Sequence, residues 1–192
     1  MTNLFALRFQ PNAPQWSQGA AFFRDVFTLD EVFWRPEICA KWARFAKILN
    51  PKLKIWATMD RWIEFKEEVI PSVGGPKTVI VPDAPVGYWL EKDGEPVVLH
   101  TGHKMLFPNH DHPDPEKIAA YIADRYLLKP LGDAIDYVDG VSHDWCQDGY
   151  WGEEGLDADK VVGFRRILLR WLGAETGKPV AFNPGGASME AF

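Results

Sequence analysis

The chain has 192 residues, 46% of them hydrophobic and 25% charged, a composition that excludes disorder as its main state and fits one domain over residues 1–192 with a single core. Its net charge is −6, from 21 Lys and Arg against 27 Asp and Glu, and basic residues never run beyond adjacent pairs. Nucleic acid is therefore not an expected partner, since phosphate binding needs concentrated positive charge. No stretch reaches the roughly 18 apolar residues of a membrane span, and the first residues, Met1 to Phe5, lack the basic and apolar regions of a secretory signal. A cytoplasmic protein or a component of an assembled particle is expected.

Residues 4–9 form a short apolar run closed by Pro11, which predicts a first strand, and residues 27–34 predict a second. Pro36 opens a helix over 36–49, with Ile38, Trp42, Phe45, Ala46 and Leu49 at helical spacing and Asn50 and Pro51 as its stop. A third strand is expected over 53–59, ending at Asp60, then a short amphipathic helix over 62–69 and a fourth strand over 78–81, closed by Pro82. Residues 88–99 predict two short strands about an Asp93–Gly94 turn. The segment 100–115 has no periodicity and reads as a long loop. Helices over 115–128 and 161–172 alternate with strands over 137–144 and 178–183. This alternation predicts an α/β fold with a parallel sheet.

In such folds sites gather at the carboxyl ends of the strands. Those positions hold Asp60, Asp83, Asp144 and Asn183. Several carboxylates and an amide converging on one mouth are equipment for glycosidic bond cleavage, in which one carboxyl protonates the leaving oxygen and another attacks or activates water. Asp and Asn also cap helices and turns at such places, and that reading stands beside the catalytic one. The chain carries nine Trp, twelve Phe and five Tyr. Flat rings pack on sugar faces, so Trp89, Trp145, Tyr150 and Trp151 are candidate platforms, although an aromatic-rich core accounts for the same composition.

His100, His103, His110 and His112, with Asp111 and Asp114, read as a metal site, as a solvated loop beside the substrate, or as residues without a role. No nucleophile elbow or phosphate loop is present, and no cofactor is expected. Cys39 and Cys146 lie far apart and read as free thiols.

Asp139, Gly140, Val141, Ser142, His143 and Asp144 together resemble the Asp-Gly-hydrophobic-x-x-Asp strand of a family of TIM-barrel glycoside hydrolases related to spherulin-like proteins and endo-polygalactosaminidases. Asn50 and Pro51 leading into a strand, Trp89 to Gly94, Phe107 to Asn109, Asp157 to Asp159 and Phe182 with Asn183 are similar to further segments of that family, over roughly residues 36–186. The resemblance implies a (β/α) TIM-barrel-like domain acting on a polysaccharide or oligosaccharide. Asp144 is then the acid or nucleophile, Asp60 or Asp83 its partner, and Asn183 a hydroxyl ligand.

The family places Phe or Leu before the terminal Asp, where this chain has Ser142 and His143. His143 either assists Asp144 and substrate binding or points outward, the orientation expected here. A full barrel takes about 250 residues, against the about six principal strands plus a hairpin expected in this chain. An incomplete barrel is therefore expected. The alternative to an enzyme is a non-catalytic structural or carbohydrate-adhesive module of a larger assembly, such as a virion component, that associates with itself or another protein at the open edge.

Overall fold

The computed structural model describes residues 6–7, 26–59, 64–70, 77–80, 85–93, 95–96, 98–100, 104–106, 108–143 and 157–182. The strands are β1 (Ala6–Leu7), β2 (Glu31–Trp34), β3 (Lys54–Met59), β4 (Glu64–Ile70), β5 (Lys77–Ile80) and β6 (Glu91–Lys92). They continue with β7 (Glu95–Pro96), β8 (Val98–His100), β9 (Lys104–Leu106), β10 (Gly140–His143) and β11 (Val180–Phe182). The main helices are α1 (Pro36–Leu49), α2 (Pro115–Ala123) and α3 (Ala158–Thr176).

Strands β2, β3, β10 and β11 lie side by side in a parallel sheet, which β1 extends beside β2. The expected α/β class with a parallel sheet holds. The order across the sheet follows the order along the chain, and right-handed crossovers, the rule for parallel strands, then set the helices on one face. The core shows that layer directly. Val32, Trp34, Ile55, Ala57, Met59 and Val141 pack with Cys39, Ala43 and Ala46 of α1, Ile118 and Ile122 of α2, and Leu168 and Leu172 of α3.

Helix α1 starts and stops where its prolines predict, but its buried face is Pro36, Cys39, Ala43 and Ala46. Phe45, expected inside, is 41% exposed. Small residues let the helix axis approach the strands closely, and the large apolar side chains are displaced to its flanks. Cys39 is buried, with Sγ 3.6 Å from the Trp34 carbonyl. Burial, reinforced by the Glu37 carboxylate, pushes its thiol far above the ordinary range.

Helix α2 begins as expected at Pro115, with Asp114 accepting from Lys117 N at 3.3 Å. Beyond it the chain widens into a π turn, Asp124–Leu128, before one further helical turn, Lys129–Leu131. Pro130 supplies the cause: it has no N–H to donate, and its ring crowds the carbonyl four residues back, at Tyr126. Gly132, at φ 52°, then turns the chain into the 3-10 stretch Gly132–Tyr137. Helix α3 is longer than its predicted span and closes at Gly177, φ 62°, whose N–H donates to the Gly173 carbonyl at 3.0 Å.

Other expectations change in the segment between β3 and α2. Residues 62–69 were expected to be helical, yet Glu64–Ile70 is strand β4, paired antiparallel with β5 and β9. Two ladders outweigh the helical preference of its Glu and Lys residues. The strand expected over 78–81 is β5, but it belongs to this second sheet, ordered β5-β4-β9-β8, and not to the parallel one. The aperiodic segment 100–115 contributes β9, and the second strand, expected from residue 27, starts only at Glu31. The predicted hairpin forms as β6 and β7, with Asp93 at φ 56° in its turn. No helix among the described residues is long and apolar enough to cross a membrane.

The junction of β3 and β10 fixes the register. Asp139 donates its N–H to Ile55 O at 2.8 Å, while its Oδ2 accepts from Ile55 N at 2.8 Å and from Lys47 Nζ at 2.6 Å. Gly140 then lies level with Trp56, so close to the indole that a Cβ at this position would overlap the ring. Gly140→Ala is therefore expected to lower stability by about 1–3 kcal/mol, read as a lower urea midpoint at unchanged slope.

Candidate functional site

In the register of the parallel sheet, Met59 of β3, His143 of β10 and Phe182 of β11 stand level on adjacent strands at their carboxyl ends. The residues that follow them in the chain are Asp60, Asp144 and Asn183. These three lie outside the described residues, as do Asp83, Trp145, Tyr150 and Trp151. The strand that precedes Asp83 in the chain, β5, belongs to the antiparallel sheet.

The two faces of the sheet differ in chemistry. Val141 and His143 share the face that carries Ala57 and Met59, which is the helix-covered core. His143 was expected to point outward; the structure overturns this, because strand alternation turns its ring into the core, where it is 1% exposed. Arg165 of α3 is equally buried. Burial, and then the positive charge of Arg165, push the imidazole down to about 3. His143 is thus a neutral imidazole at neutral pH, suited to holding the end of β10 in place and unsuited to delivering a proton.

The opposite face carries Glu31, Phe33, Trp56, Thr58 and Ser142. Phe33 and Trp56 stack with centroids 5.7 Å apart and planes 6° from parallel, and Trp56 Nε1 donates to the Glu31 carboxylate. Nearest the strand ends, Thr58 Oγ1 and Ser142 Oγ hydrogen bond at 2.6 Å, both buried. Sequence reasoning overlooked this aromatic and hydroxyl face. The signal was present: Trp56 and Thr58 alternate with Ile55, Ala57 and Met59, and Gly140 and Ser142 alternate in phase on the neighbouring strand.

Trp89, expected as an open sugar platform, is 9% exposed and forms a β-bridge with Pro108. The bridge joins Trp89 to the segment 108–114. That segment is built into the structure. Asn109 Nδ2 donates to Gly87 O at 2.8 Å, and His112 Nδ1 accepts from Asp114 N at 3.0 Å while its ring meets Tyr88 edge to face. Among the described residues no group of three or more His, Cys, Asp or Glu is placed to hold a metal ion.

The buried His143 ties stability to pH. The unfolded chain takes up a proton near pH 6.5, whereas the folded chain refuses it until about 3. Stability is expected to fall as the pH drops through that window, by up to about 1.4 kcal/mol per unit for this one group. Urea midpoints across the window test this: His143→Asn flattens the dependence, and an unchanged slope would place its origin elsewhere. In comparisons with known proteins, no family model, curated protein or solved structure matches the chain.

Proposed function

We propose that the chain is a glycoside hydrolase-like domain that acts on a polysaccharide, with the carboxylates of Asp144 and Asp60 as its acid and nucleophile or base. The observation that carries this reading is the level row Met59, His143 and Phe182, each followed in sequence by a polar residue suited to the chemistry. Met59 and His143 are level neighbours on adjacent strands, and Asp60 and Asp144 are the residues that follow them in sequence. Asp83, which follows β5 of the antiparallel sheet in the chain, is the weaker partner.

The proposal also reads the parallel sheet as an arc of a (β/α) barrel. Strand order that follows chain order, helices on one face, and a second face of aromatic and hydroxyl side chains all support that reading. The resemblance of residues 139–144 to a family of TIM-barrel glycoside hydrolases supports the choice of reaction. One observation favours the alternative of a non-catalytic, carbohydrate-adhesive or assembly module on the same scaffold. Strand β11 ends the described sheet, and Val180, Ala181 and Phe182 are all half-buried, an edge that another chain can extend.

Reducing-end release from a panel of acidic and amino-sugar polysaccharides tests the reading. Asp144→Asn and Asp60→Asn are each expected to slow release by about a hundredfold or more while binding persists. A folded wild type that releases nothing from any of them would overturn the enzyme reading, and retained binding would then identify the adhesive module.

A further inference from the structure

Independently of that reading, we infer that a groove in the helical layer is a binding site for a phosphoryl group on a small molecule. The groove lies between the segment that leads into α2 and one side of α3, encloses about 400 Å³ and is lined by His110, Pro115, Lys160, Phe164, Arg166 and Arg170, among others. That volume falls within the range of small-molecule pockets. Lys160, Phe164 and Ile167 recur at helical spacing along α3, and Arg166 and Arg170 form the next stripe, one turn apart. Pro115, Phe164 and Ile167 make an apolar floor beneath cationic walls.

The charge is local and runs against the whole. The chain is acidic overall, at −6, yet among the described residues Lys160, Arg166 and Arg170 line the groove and no carboxylate does. Among the described residues, acids meet this lining at Lys160 and at His110. Asp111 pairs with Lys160 at 2.5 Å, and the Asp157 carboxylate caps the start of α3 by accepting from Asp159 N and Lys160 N. Arg170 gives Nε to the Arg166 carbonyl at 3.3 Å, which leaves the terminal nitrogens of its guanidinium for a ligand. The guanidinium fork of Arg170, with the His110 ring lining the same groove, suits the several oxygens and double charge of a phosphoryl group better than a single carboxylate.

His110 is the second, independent sign of a ligand. Its side chain is only 5% exposed, at the wall of the groove. Neither ring nitrogen has a hydrogen-bond partner among the described residues, since Asp111 Oδ1 stands 3.5 Å from Nδ1, too far for a good bond. A buried polar ring left in this state is costly, and an oxyanion seated between it and Arg170 supplies the partner.

Titration calorimetry on the whole chain tests the assignment with inorganic phosphate, glucose 6-phosphate and galacturonate as probes. Phosphate and glucose 6-phosphate are expected to bind, and galacturonate to bind more weakly than either. Tighter binding of glucose 6-phosphate than of phosphate identifies a phosphorylated small molecule as the occupant, and equal binding identifies free phosphate. Arg170→Ala, at an exposed position that folding tolerates, is expected to weaken phosphate binding by about tenfold or more. Arg170→Lys should recover part of the loss, and Arg44→Ala on α1 should leave binding unchanged. No phosphate binding by the wild type, equal binding by Arg170→Ala, or preference for galacturonate would each overturn the proposal.

Discussion

The structure depends on the grip of Asp139. One side chain and its own N–H hold both backbone groups of Ile55 and the ammonium of Lys47, so β10, β3 and α1 are tied at a single point. Parallel strands share no tight turn to set their alignment, and a slip by one residue exchanges the faces of every side chain. Asp139 prevents that slip. With Asp139 bonded to Ile55, Gly140 falls against the flat of Trp56, Ser142 meets Thr58, and His143 ends level with Met59. The alignment on which the proposed chemistry relies is thus decided at the far end of the strands, by a residue that takes no part in it.

The two faces of β10 divide the work. Toward the helices the strand presents Val141 and His143 to a buried layer in which burial, and then the charge of Arg165, keep the imidazole neutral. On the other side it presents Gly140, against an aromatic stack, and Ser142, against a hydroxyl. A chain segment that is buried on both sides has few ways to move, and rigid elements hold functional groups more accurately than loops do.

Much of the parallel framework was legible in the sequence, because Pro36, Asn50, Pro51 and Pro115 punctuate it and the helices carry their period openly. Residues 64–70 were not. Glu64, Lys66, Glu67 and Glu68 read as helix formers, and only pairing with partners on either side, both distant in the chain, turns them into a strand. The same holds for the site. Asp60, Asp144 and Asn183 stood out as polar residues after apolar runs, but nothing in a linear reading says that Met59, His143 and Phe182 are level. The inward turn of His143 was equally hidden, since a polar residue before a predicted mouth looks exposed until the strand's phase is known. The burial of Trp89 was hidden too, because an aromatic side chain counts the same in composition whether it is open or buried.

Cys39 carries a different consequence. Its thiol is sealed beneath α1 beside the Trp34 carbonyl, and burial keeps it protonated. Only the thiolate attacks an alkylating reagent, so in the folded molecule this sulfur is chemically silent. It becomes reactive only when α1 lifts from the sheet. The rate at which Cys39 takes up a label under native conditions is therefore a clock for the opening of the helix layer, timed from inside the protein at the helix that Lys47 fastens to Asp139.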